Sequence, residues 1–253
     1  MKILDCNLFY GASVNGEPYR GCGTFEALEA EARRCGIDGG LVRCLYSSAT
    51  GVSYGNGCVN SEMLKRKDSF WYGVWAALPP YTDETPKPEN LHKEMKENKI
   101  GAVYIDPVSH RYVLDSLSMG EVFEAAQAKK IPVILSTCCG VPMEKIYKIM
   151  KDFPQLTAII NDGDCWPNGR KLYPLLANYK NLYLDLSYVM DAGGVEDMVS
   201  RFGAEKLLFG TGFPSRYTGS MMSVLRSAQK SDGEKEMIFG KNLERVLKEA
   251  DLW

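Results

Sequence analysis

Ile131-Pro132-Val133-Ile134-Leu135-Ser136 is a short apolar run. After it come Pro142 and a segment, 143–151, with apolar residues at i, i+3 and i+4, and then a second apolar run, Leu156-Thr157-Ala158-Ile159-Ile160-Asn161. A short unbroken apolar run, a stretch of helical period and another such run make a strand–helix–strand unit. The continuous apolar character of 132–135 and 156–160 suits parallel strands covered on both faces. Pro142 fits the first helical position, where a missing N–H costs nothing.

The unit recurs in both directions. Strand-like runs fall at 3–9, 40–46, 71–78, 102–106, 132–137, 156–161, 182–187 and 206–211, with helix-period segments at 26–35, 91–98, 121–129, 143–151, 172–178 and 195–202 between them. A closing helix is expected over 234–249, behind a capping box formed by Ser231 and Glu234. Eight strands alternating with helices in 253 residues predict an α/β fold, a single (β/α)8 TIM barrel spanning 1–253. The competing doubly wound sheet lacks a Gly-x-Gly-x-x-Gly after its first strand. Residues 46–60, rich in Ser, Gly and Asn, read as a long loop over the C-terminal mouth of the barrel. Alternation along the first strand turns Asp5, Asn7 and Phe9 inward and Cys6 and Leu8 toward the helices.

Composition narrows the function classes. Thirty Lys+Arg against 32 Asp+Glu give a net charge of −2, which supplies neither a basic face for nucleic acid nor a polybasic membrane patch. No uncharged apolar run reaches the roughly 18 residues of a membrane span. The opening Met1-Lys2-Ile3-Leu4-Asp5 runs straight into a strand without a signal-peptide core, so a cytoplasmic location is expected. The eight cysteines include no Cys-x-x-Cys and are expected to be mostly reduced and buried.

The strand ends carry a family resemblance. Ile3-Leu4-Asp5-Cys6-Asn7-Leu8-Phe9 stands where the amidohydrolase-related hydrolases and decarboxylases have Ile-Asp-x-His-x-His. Trp75-Ala76-Ala77-Leu78-Pro79-Pro80 resembles the third strand of that family, and Val103-Tyr104-Ile105-Asp106-Pro107 its fourth. Ile131 to Ser136 is similar to a Pro-Val-x-x-His strand, and Asn161-Asp162-Gly163 to a His-x-Gly end. Leu207-Leu208-Phe209-Gly210-Thr211-Gly212-Phe213-Pro214 resembles Leu-Leu-Phe-Gly-Ser-Asp-Phe-Pro, and Gly240-Lys241-Asn242-Leu243-Glu244-Arg245 resembles the closing Gly-Asn-Ala-x-Arg segment. The resemblance implies a TIM barrel, a divalent metal held by histidines and an aspartate, and a homo-oligomer.

The metal-site positions depart from that pattern. They read Asn7, Phe9, Ser136, Asn161 and Gly212, and the whole chain holds only His92 and His110. Amides are poor zinc donors, while phenyl and glycine side chains donate nothing. Loss of the last-strand aspartate also removes the usual base for a bound water. The expectation is therefore a barrel with no metal and no cofactor.

Several groups offer other chemistry. Asp106 with His110 forms a possible general-base pair, with Arg111 holding an anion; the alternative is a loop cap beside a surface histidine. His92 falls on a helix and is expected to face solvent. Cys138 and Cys139 after the fifth strand and Asp162, Asp164 and Cys165 after the sixth suggest a replacement metal site, or a nucleophilic thiol served by Arg170 or Arg216. Gly210 to Arg216 reads either as an anion cradle or as a loop in which glycine fills a vacated site. Arg43 is an anion ligand or a buried ion-pair member, and Asp185 is structural. Phe9 either lids a pocket or plugs it. The leading expectation is a barrel that binds a small anionic or carbonyl-bearing ligand without metal-dependent turnover. The alternative is a metal-independent hydrolase or lyase with relocated catalytic residues.

Overall fold

In a computed structural model describing residues 1–12 and 21–253, the apolar runs become eight parallel strands paired in chain order. They are β1 (Leu4–Tyr10), β2 (Gly39–Cys44), β3 (Phe70–Ala76), β4 (Ile100–Ile105), β5 (Val133–Ser136), β6 (Ala158–Asn161), β7 (Leu182–Asp185) and β8 (Leu207–Leu208). β8 is shorter than the expected 206–211. Beyond Asp185 its partner β7 turns into a 3-10 segment (Leu186–Tyr188), so the chain after Leu208 pairs with β1 instead. Cys6 N–H donates to the Phe209 carbonyl at 2.8 Å, Gly212 N–H to that of Asn7 at 3.1 Å, and Phe9 N–H to that of Phe213 at 3.1 Å. These bonds bring the last strand round to the first, giving a nearly closed (β/α)8 barrel.

The helices among the described residues are α1 (Phe25–Arg34), α2 (Tyr46–Ala49), α3 (Val52–Leu64), α4 (Pro88–Glu97), α5 (Ser116–Ala128), α6 (Met143–Asp152), α7 (Gly169–Asn178), α8 (Gly194–Phe202), α9 (Thr218–Ser227), α10 (Asp232–Glu236) and α11 (Asn242–Glu249). Alternate strand residues divide the apolar core in two. Leu41, Val74, Ala102, Tyr104, Ile134, Ile159, Tyr183 and Leu208 fill the barrel, which Leu243, Val246 and Leu247 of α11 help to fill. Val42, Trp71, Val103, Leu135, Ile160 and Leu184 pack outward among residues such as Phe25 and Phe123 of the helices. Next along the inward-facing rows come Arg43, Asp106, Ser136, Asn161 and Asp185, so polar groups succeed the apolar filling at the C-terminal strand ends.

Four local expectations change. Cys6 sits inside with Leu4, because the β1–β2 register shifts between Asp5 and Leu8 and breaks simple alternation. Residues 46–60 are largely helical, in α2 and α3. Their Gly and Asn residues serve packing: Gly55 lies against the Ser47 backbone where any Cβ would sit 2.2 Å from its nitrogen. The Asn56 amide bonds both the N–H and the carbonyl of Ala76 at 2.9 and 3.0 Å, replacing a strand neighbour. The closing segment divides into α10, a π-helical stretch (Met237–Lys241) and α11, and the Ser231–Glu234 capping box is present. Pro142 is the cap residue immediately before α6.

Candidate functional site at the barrel mouth

Two fully buried carboxylates brace the mouth. Asp5 accepts from the Asn7 N–H at 2.8 Å, from the Thr211 N–H at 3.1 Å and from the Thr211 hydroxyl at 2.6 Å. Asp185 accepts from the Asn7 side-chain amide at 2.8 Å, the Ser187 N–H at 2.9 Å and the Ser187 hydroxyl at 2.5 Å. Gly210 makes room for this carboxylate, since a Cβ there would lie 2.0 Å from Asp185 Oδ1. Burial pushes the Asp5 carboxyl up to about 6 against the pull of its donors. Burial, with Asp162 and Asp5 nearby, pushes Asp185 up to about 7.

Both groups hold a proton more tightly in the folded chain than at the ordinary aspartate value of 3.8. Their contribution to stability is therefore full below about pH 4 and is lost as pH rises through the folded values. The urea midpoint is expected to fall between about pH 5 and pH 8, and Asp185→Asn to flatten that decline. A wild-type midpoint that climbs over the interval would contradict this assignment.

The five substituted positions are joined by contacts at this end of the barrel. The Asn7 amide also donates to Ser187 Oγ at 3.2 Å. Gly212 has φ +67, and a Cβ there would meet Ser187 Cβ and Arg216 Cδ at 3.5 Å. Phe9 is buried, with the Arg43 guanidinium 5.0 Å from its ring centre. The Ser136 hydroxyl donates to the Asp162 carboxylate and accepts from the Cys139 N–H. Asn161 pairs in register with Ser136, is 2% exposed, and has an amide oxygen with no partner among the described residues. Two amides, a hydroxyl, a phenyl ring and a glycine make a donor set unsuited to a divalent metal. Among the described residues no group of three or more His, Cys, Asp or Glu is placed to hold one.

Arg43 brings a buried cation to the site. Its Nη1 donates to Cys139 Sγ at 3.3 Å, and its guanidinium lies 5.4 Å from the Tyr104 ring centre. Its Nε is buried and without a partner among the described residues. Burial opposes its charge, but Cys139, Tyr104 and Asp162 outweigh that and hold the guanidinium above its ordinary range. It has no carboxylate partner at ion-pair distance among the described residues. The cation expected beside the thiols was Arg170 or Arg216. Instead Arg170 is exposed on α7, and Arg216 stacks 3.6 Å from the Tyr188 ring centre.

The other candidates separate. Asp106 accepts from the Ser109 N–H at 3.0 Å and the Ser48 hydroxyl at 3.2 Å, so it caps its loop. His110 is half-buried, its ring 6.0 Å from that of Tyr104, and neither ring nitrogen has a hydrogen-bond partner among the described residues. Burial lowers its pKa, and the nearby Asp106 pulls the other way. Arg111 is exposed at φ 56. Asp164 bonds Asn168, while Cys165 lies toward Gly194 and Tyr173. His92 does not simply face solvent: its Nε2 meets the Ala250 carbonyl at 2.7 Å. Sequence reasoning missed Tyr104, whose hydroxyl pairs with Ser47 Oγ at 2.5 Å beside Arg43. Its position two residues before Asp106 on the inward-facing row was the available signal.

Comparison with known proteins places this barrel in a class. The amidohydrolase family model matches residues 55–248, and the chain belongs to that family. No curated protein matches the sequence. Among solved structures, an uncharacterised TIM-barrel protein of Bordetella bronchiseptica is 20% identical, covering 99% of this chain and 100% of its own, with a TM-score of 0.73. The 5-carboxyvanillate decarboxylase of Sphingomonas paucimobilis is 13% identical over 98% of this chain and 99% of its own, at 0.69. A 2,6-dihydroxybenzoate decarboxylase from Rhizobium is 12% identical with the same coverage and TM-score. At these identities the likeness is one of fold. No helix among the described residues is long and apolar enough to cross a membrane.

Proposed function

We infer that this amidohydrolase-family barrel has lost the metal chemistry of its relatives and binds a small anionic or carbonyl-bearing molecule at the mouth. The observation that carries this reading is Arg43. It is a charged guanidinium near the rings of Phe9 and Tyr104, with a buried Nε that has no hydrogen-bond partner, and a side chain that makes no ion pair, among the described residues. A buried, unpaired donor of that kind is costly unless an anion takes it. The neighbouring Asn161 amide oxygen adds an acceptor for a ligand hydroxyl. The relatives that act on aromatic carboxylates make small carboxylates the first class to try. Calorimetric titration with a panel of small mono- and dicarboxylates, including glyoxylate, is expected to show one-to-one binding by at least one member. Silence across the panel at low salt would count against the reading.

His110 favours the second reading, a metal-independent hydrolase or lyase. Burial keeps its imidazole neutral near pH 7, and a neutral imidazole accepts protons. Asp106 is engaged elsewhere, so a catalytic His110 would act without that carboxylate as its orienting partner.

A further inference from the structure

The geometry points to Cys139 as a nucleophile that adds reversibly to the carbonyl carbon of a ligand whose carboxylate is held by Arg43. This deepens, and rests on, the ligand-binding reading above. Cys139 and Arg43 come from opposite parts of the chain and meet at 3.3 Å across the mouth. A guanidinium at hydrogen-bond distance is the kind of partner that equips a thiol for attack. Among the described residues no other cysteine has a guanidinium at that distance. Cys44 and Cys165 are pushed up to about 12, chiefly by burial, and burial and Asp162 raise the exposed Cys138.

A second, independent observation indicates a ligand at the same place. Asn161 is 2% exposed and pairs in register with Ser136, whose hydroxyl accepts from the Cys139 N–H, and its amide oxygen has no partner among the described residues. An acceptor there needs a donor, and addition to a carbonyl creates one. The sulfur lone pair forms the C–S bond, the carbonyl π pair moves to oxygen, and the thiol proton ends on that oxygen. The product is a thiohemiacetal or its ketone equivalent, and nothing else is consumed or released. Its new hydroxyl donates to Asn161, and the ligand carboxylate accepts from the Nε of Arg43, which has no partner among the described residues.

The test uses the full chain, iodoacetate and iodoacetamide as alkylating probes, and glyoxylate labelled with carbon-13 at its aldehyde carbon. Alkylation forms a C–S bond and releases iodide, and fragment-ion mapping separates Cys138 from Cys139. Iodoacetate is expected to label Cys139 about tenfold faster than Cys138, a preference that Arg43→Met removes. Iodoacetamide should show a smaller preference. Glyoxylate should slow the labelling and give a thiohemiacetal carbon resonance that Cys139→Ser lacks. Equal labelling of the two cysteines by iodoacetate, or no such resonance at saturating glyoxylate, overturns the proposal. If Cys139→Ser binds glyoxylate with wild-type affinity and neither protein shows the resonance, the covalent step fails and the ligand-binding reading stands. If no protein binds glyoxylate or any member of the carboxylate panel, the reading itself fails.

Discussion

Replacing Arg43 by methionine is expected to weaken binding of the carboxylate found by titration about a hundredfold, while the far-ultraviolet circular dichroism stays that of wild type. Methionine keeps the length and much of the apolar contact of the side chain against Phe9 and Tyr104 but removes every donor. The guanidinium makes no ion pair among the described residues, so among them its loss breaks no salt bridge, although Asp162 loses a nearby positive charge. That separates a ligand-binding role from a structural one. Arg43→Lys should recover part of the affinity through charge alone, without the planar donor edge. Unchanged affinity in Arg43→Met would remove Arg43 from the site, and the proposed function would lose the observation that carries it.

The second large effect concerns the barrel itself. Gly40 pairs with Asp5 between β1 and β2 and has φ +151, and a Cβ there would lie 1.9 Å from the Asp5 carbonyl oxygen. The obstacle is backbone inside a paired sheet, so no rotamer change relieves it. Gly40→Ala is expected to cost roughly 3 kcal/mol or more, from overpacking and a disfavoured backbone angle together. For a chain of this size that lowers the Tm by on the order of 10 °C in scanning calorimetry. A Tm equal to wild type would contradict the β1–β2 register, and with it the placement of Asp5 and Asn7.

How far the sequence reveals the molecule depends on whether a feature is local. Unbroken runs such as Val133–Ser136 and Ala158–Asn161 can be read as covered parallel strands because their period and length are set within a few residues. The inward-facing row obeys alternation over most of the barrel, and it was the family resemblance that put Ser136 and Asn161 at strand ends. Alternation fails at β1, where a register shift turns Cys6 inward, and nothing in Asp5-Cys6-Asn7-Leu8 announces that shift. The helix α3 was hidden for the opposite reason. Its Gly55 and Asn56 have low helix propensity, and tertiary contacts with Ser47 and Ala76 decide their conformation. The Arg43–Cys139 contact joins β2 to the loop after β5, and pairing across a barrel has no sequence spacing to betray it. The buried pair Asp5 and Asp185 was read as core and structural, but its close coupling through Asn7 depends on barrel closure.

We propose that the mouth of this barrel works without a bound divalent metal. Elemental analysis tests it most directly, on full-length protein purified without chelator, with zinc, manganese and iron counted per chain. Metal is expected far below one atom per chain, unchanged in Asn161→Ala. Near-stoichiometric metal that falls when Asn161 or Asp162 is replaced would contradict it.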